Sequence, residues 1–196
     1  MKKISLFMTA VFLSAVTMAQ NDRVNFGLKA GVNLANLHVE DYDETEMKLG
    51  MYAGALAHIH ITPNIGVQPE VVYSTQGAKD GDTKWLIDYV NVPIMLQYMF
   101  NNGFRIETGP QVGFLTRAKI EVDDEELDIK DDLKKTDISW GFGLNYLSTS
   151  GIGVGARYNL GLTDINEDDA GNKITNQVFQ VGLFLMFDKA HKAKSQ

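Results

Sequence analysis

Five charged residues, Lys29, Glu70, Arg105, Glu107 and Arg157, stand in segments otherwise made of apolar residues, glycines and neutral amides. Each falls on the polar side of an alternating pattern, so each points to the interior if those segments are strands. An isolated charge out of water costs on the order of several kcal/mol, so interior charges must pair. Glu70, Glu107, Arg157 and Lys29 are expected to form an internal salt-bridge network that fixes the fold, with Arg105 facing the same interior. A gated proton or ion path is the sharper chemistry the same residues would offer.

Other reactive types lead less far. His58 and His60 share a face two residues apart, a spacing that can bind a metal, but no third ligand is evident and none is expected. Asp164-Ile165-Asn166-Glu167-Asp168-Asp169-Ala170-Gly171 is the richest Ca²⁺-ligand string, yet it lacks the twelve-residue EF-hand pattern. Serines occur in no nucleophile–base constellation, so neither a catalytic residue nor a cofactor is expected. A net charge of −7 has the wrong sign for nucleic acid.

The elements that position these groups are read from period-two alternation. In Ile138 to Thr163, Ile138, Trp140, Phe142, Leu144 and Tyr146 alternate with Ser139, Gly141, Gly143 and Asn145. After Ser148 to Gly151, Ile152, Val154, Ala156, Tyr158, Leu160 and Leu162 alternate with Gly153, Gly155, Arg157, Asn159 and Gly161. Large apolar residues on one face and glycine or amide on the other suit a barrel with lipid outside and a narrow polar interior. The pattern recurs around Phe26 to Leu34, Met47 to Ile61, Ile65 to Tyr73, Leu86 to Phe100 and Phe104 to Phe114. It ends in Phe179, Val181, Leu183, Leu185 and Phe187. In the fourth segment Asn91 and Gln97 mark the inner face. The chain is therefore expected to be all-β: one eight-stranded antiparallel up-and-down transmembrane β-barrel.

The connections alternate in length. Thr62-Pro63-Asn64, Asn101-Asn102-Gly103 and Ser148 to Gly151 have tight-turn compositions. His38 to Glu46, Gln76 to Lys84, Lys119 to Thr136 and Asp164 to Lys173 are long, and they hold 19 of the 25 acidic residues on one rim. Short periplasmic turns and long extracellular loops are the outer-membrane pattern. The loops are expected to be solvated, their charge repelling anionic partners or bridging divalent cations to lipopolysaccharide. Aromatics sort by strand end: Phe26, Tyr98, Phe100, Phe104, Tyr146 and Phe187 at the periplasmic side, and Tyr73, Trp85, Phe114, Trp140 and Phe179 at the outer side.

The first residues read as an export signal, with Lys2 and Lys3, an apolar run from Ile4 to Val16, and Thr17-Met18-Ala19 before the cleavage point. The organisation expected is a cleaved signal over 1–19, a barrel over 20–187 and a basic tail over 188–196 containing Lys189, His191, Lys192 and Lys194. Cleavage would remove two lysines and move the net charge to −9. There is no cysteine, so no disulfide staples the exported chain.

Gln68-Pro69-Glu70, Tyr89-Val90-Asn91-Val92-Pro93 with Ile94-Met95-Leu96-Gln97-Tyr98, Gly109-Pro110-Gln111-Val112-Gly113 and Ala156-Arg157-Tyr158-Asn159-Leu160-Gly161-Leu162 resemble the PorT-like outer-membrane β-barrel family of Bacteroidota. The likeness runs from about Asn25 to Phe187, and the last strand also resembles an outer-membrane assembly signal, here followed by Asp188 to Gln196. The resemblance implies a barrel in the outer membrane of a Gram-negative bacterium, handled by the barrel-assembly machinery and in contact with lipid and lipopolysaccharide. Its role would be structural or surface-interacting, with a secretion system or surface protein as partner. A narrow channel, or a barrel holding a small ligand, is the alternative.

Overall fold

The computed structural model describes residues 24–39, 46–122, 125–167 and 172–187; the proposed export signal, the basic tail and most of the first acidic loop lie outside them. Ten strands form: β1 (Val24–Val39), β2 (Glu46–His60), β3 (Ile65–Gln76), β4 (Ala78–Asp80), β5 (Thr83–Met99), β6 (Phe104–Val122), β7 (Glu125–Asp128), β8 (Thr136–Leu147), β9 (Ile152–Gly161) and β10 (Ile174–Met186). Eight of them pair antiparallel in the cyclic order β1-β2-β3-β5-β6-β8-β9-β10, and β10 pairs back onto β1. The eight-stranded antiparallel barrel expected from alternation is the fold observed.

Its stagger follows from the pairing. Starting at Phe114, the partners run Val90, Tyr73, Ala53, Ala30, Leu183, Val154 and Tyr146, and return to β6 at Phe104, ten residues below the start. A stagger of ten at about 3.3 Å per residue, over eight strands about 4.8 Å apart, sets a tilt of about 41° and a backbone radius of about 8 Å. Such a barrel is filled by its own side chains.

Outward positions are apolar along every wall, with Leu49, Leu144 and Phe104 exposed by 67, 65 and 55%. On β6 the outward row runs Phe104, Ile106, Thr108, Pro110, Val112 and Phe114. With the tilt above it climbs about 25 Å, the height of a membrane barrel's apolar band. Tyr98, Phe100, Phe104 and Tyr146 ring the lower edge, where Tyr98 meets Phe100 and Phe104 meets Tyr146 edge-on. The lower turns are tight; Gly103 and Gly151 take φ of +90° and +88°, which L side chains resist.

Four expectations are corrected. Strands continue into two of the long acidic connections: β4 folds back on β5, and β6 runs to Val122 and pairs with β7. Lys119-Ile120-Glu121-Val122 keeps the period-two alternation inside an otherwise acidic segment. Parts of the outer loops are not simply solvated. Leu133 and Ile165 fold over the barrel mouth, where Lys134 N donates to Ile165 O at 2.8 Å, and join Leu37, Ile87, Tyr89 and Leu115 in an apolar plug. Trp85 packs against that plug and does not belong to the outward aromatic ring. The interior is also not polar throughout, because Leu56, Leu147 and Met186, with Phe184 against them, close its lower end.

Candidate functional site

Between the two apolar plugs lies a polar layer built from inward positions of β1, β3, β6 and β9. Strand stagger brings Lys29, Glu70, Glu107 and Arg157 within about 6 Å of one another along the barrel axis, near the middle of the apolar band. Arg157 Nη1 and Nη2 donate to Glu70 Oε2 and Oε1 at 2.9 and 2.7 Å, and its Nε donates to Glu107 Oε1 at 2.7 Å. Lys29 Nζ donates to Glu70 Oε2 at 2.9 Å. Gln68 Nε2 supports Glu70 at 2.8 Å, and Gln97 Nε2 supports Glu107 at 2.7 Å. The planar guanidinium thus spans two carboxylates, a geometry a lysine could not supply.

Two cations and two anions cancel, and Arg157 is only 5% exposed. Arg105 stands apart. It is buried two residues below Glu107 on β6, across from Met99 and Asn145, and its Nη1 has no partner among the described residues. Of the five charges singled out by sequence, the structure brings together four.

Several partners were not singled out by sequence. Gln68 and Gln97 look like ordinary inner amides until register places them beside carboxylates. Tyr52 lies over Gly182, where a Cβ would meet its hydroxyl at 2.3 Å, and its ring sits 5.6 Å from Lys29 Nζ. Above the ionic layer, Asn33 Nδ2 and Gln76 Nε2 both donate to Ser74 Oγ, at 2.8 and 3.0 Å, and Asn176 donates to Gln76. The cavity beside the network, touching Lys29, Tyr52, Glu107, Asn145 and Arg157, measures about 20 Å³, room for a single water. His58 is fully buried at the lower end, its ring edge-on to His60 at 4.6 Å.

A second charged group lies outside. At the outer end of the wall, Arg117 Nε donates to Asp88 Oδ2 at 2.8 Å, and Tyr73 Oη donates to the same oxygen at 2.7 Å. Lys84 pairs with Glu121 at 2.6 Å and Lys119 with Glu126. The hydrogen bond from Lys119 and its charge hold Glu126 below the usual carboxylate range. In the loop after β9, partial burial works against ionisation of Asp164. Backbone N–H groups of Ile174 and Asn166, at 2.9 and 3.0 Å, outweigh it and keep that carboxyl low, with Lys134 nearby.

A closed antiparallel barrel with a 25 Å apolar girdle has a counterpart among known families. The family described as outer membrane protein beta-barrel domain matches residues 18–167. The chain belongs to this family. It is therefore an outer-membrane β-barrel protein, and the apolar girdle is its lipid-facing wall. Neisserial surface protein A has a similar structure, with a TM-score of 0.55 at 14% identity over 83% of this chain and 97% of that one. Ail, the attachment invasion locus protein of Yersinia pestis, gives 0.52 at 14% identity, over 84% and 99%. At these identities the likeness is one of fold. No curated protein matches the chain.

Proposed function

We propose that this protein is a closed, non-conducting, non-catalytic barrel that presents its outer rim as an interaction surface. The observation carrying the reading is the filled interior. A neutral ionic layer at mid-height lies between apolar plugs at both ends, and the cavity beside that layer measures about 20 Å³. Ions and ligands have no continuous path through such an interior, which leaves the rim and the wall as working surfaces. The buried network acts as an internal brace, tying β1, β3, β6 and β9 together across the lumen.

On this reading the chain is exported by its N-terminal signal and inserted by the barrel-assembly machinery, with β10 as recognised strand. Acidic loops face outward, and the resemblance to the PorT-like group favours a secretion-system component or another surface protein as partner. Reconstitution in planar bilayers tests the reading, with no single-channel current expected from the wild type. Steady current through wild-type barrels would overturn it in favour of a narrow channel. Crosslinking in the native cell from the outer loops should then trap a protein partner that loop deletion abolishes.

A further inference from the structure

Counting by twos along β6 from Arg105 puts Glu107, Gly109, Gln111, Gly113 and Leu115 inside, and Arg117 should follow them. It does not. Tyr89 pairs with Leu115 while Asp88 pairs with Arg117, so Thr116 is an extra, unpaired residue. The bulge turns Arg117 to the outer wall and hands the inner position to buried Ala118. Bulges commonly re-aim a side chain in this way. Arg117 thereby occupies the next outward position above Phe114, about 5 Å higher along the axis. That is where the apolar band ends and lipid headgroups begin.

We infer that Arg117 is a docking point for the phosphate of an outer-leaflet lipid headgroup; the inference rests on the membrane reading above. Asp88, itself held by the Tyr73 hydroxyl, fixes the guanidinium through Nε alone. Among the described residues no partner engages Nη1 or Nη2, and the Arg117 side chain is 46% exposed. Two parallel N–H donors held at that height match a phosphate's oxygens in geometry and charge. Lys84 and Lys119 occupy outward positions just above on the same two strands, and Lys130 Nζ is tied to Thr116 O at 2.7 Å. Asp88, Glu121 and Glu126 face the same patch and hold single cations each. At comparable height β8, β9, β10 and β1 present Thr136, Leu162, Gln177 and Asn36, all uncharged. The two unspent donors of Arg117 therefore select a phosphate oxygen pair, and select one side of the barrel for it.

The test uses the full mature barrel in phosphatidylcholine nanodiscs doped with either a phosphorylated lipid A or the same glycolipid stripped of phosphate. Lipids retained by the barrel are counted by native mass spectrometry. Wild type should retain the phosphorylated form selectively. Arg117→Gln should lower its apparent affinity about tenfold, the factor of one charge-assisted hydrogen bond. Arg117→Lys should recover part of the loss, and Lys173→Gln should change nothing. Equal retention by Arg117→Gln, or of the dephosphorylated lipid, would overturn the inference. Displacement by millimolar inorganic phosphate would overturn it as well, by making a soluble anion the ligand. Failure of the wild type to enter nanodiscs, read from heat-modifiable gel migration, would defeat the membrane reading itself.

Discussion

Two arginines, Arg157 and Arg117, each hold carboxylates by hydrogen bonds of 2.7 to 2.9 Å, yet they do opposite work. Arg157 sits at mid-height with three nitrogens engaged by two glutamates. Arg117 spends one nitrogen on Asp88 and keeps the other two outward. The first geometry consumes the donor capacity of the side chain and leaves nothing for a ligand. The second uses an ion pair only to aim the side chain. Similar distances therefore say little about role; burial and the number of unspent donors decide it.

If that contrast is right, Arg157→Met should have the largest effect. It leaves Glu107 without its hydrogen-bonded cation and Glu70 with Lys29 alone, and should lower unfolding free energy by about 3–5 kcal/mol, measured by urea titration in detergent micelles. Adding Glu107→Gln to it should return part of that loss, because a neutral amide needs no counter-charge while Lys29 and Glu70 still balance each other. Next comes Leu56→Ala in the lower plug, expected to cost about 2–3 kcal/mol while leaving bilayers silent, since the ionic layer still blocks the lumen. Conductance in Leu56→Ala would show that the plug, and not the network, seals the barrel. Arg117→Gln should cost less, about 1–2 kcal/mol, because Arg117 is half-exposed and buried Asp88 keeps Tyr73 as a donor; a loss equal to that of Arg157→Met would erase the distinction.

The smallest effect concerns pH. Asp164 is held below its ordinary pKa in the folded loop, so its contribution is complete above the usual aspartate value near about 4 and fades as pH falls through the depressed one. Protection factors of the Ile174 and Asn166 amides should drop between about pH 6 and about pH 2, and Asp164→Asn should remove that dependence. The midplane network should not respond to the same change in loop dynamics.

Much of this was legible in the chain. Period-two alternation identified which side of each strand faces lipid, because a closed barrel lets only two environments alternate along it. It also marked Lys29, Glu70, Glu107 and Arg157 as inner charges. Who pairs with whom was less accessible, since Arg157 reaches Glu70 across 87 positions through strand stagger, and stagger depends on every hairpin register at once. Arg105 shares the inner parity but sits too low to join. Arg117 was the least legible: one extra residue at Thr116 reverses its face, and nothing in its immediate neighbours announces the bulge. Trp85 and Leu133 were misread for a related reason, as loop and rim positions judged by composition cannot reveal that the loop folds inward.

The sheet is sealed by β1 against β10, with Gly27 opposite Met186 and Val39 opposite Ile174. The first and last strands of the barrel are thus each other's neighbours, and the contacts that complete the sheet are among the most distant in sequence. A chain truncated before Ile174 would leave β1 and β9 with one unpaired edge each. Closure at this seam is all-or-nothing: until β10 docks on β1, no other pairing in the sheet can stand in for it.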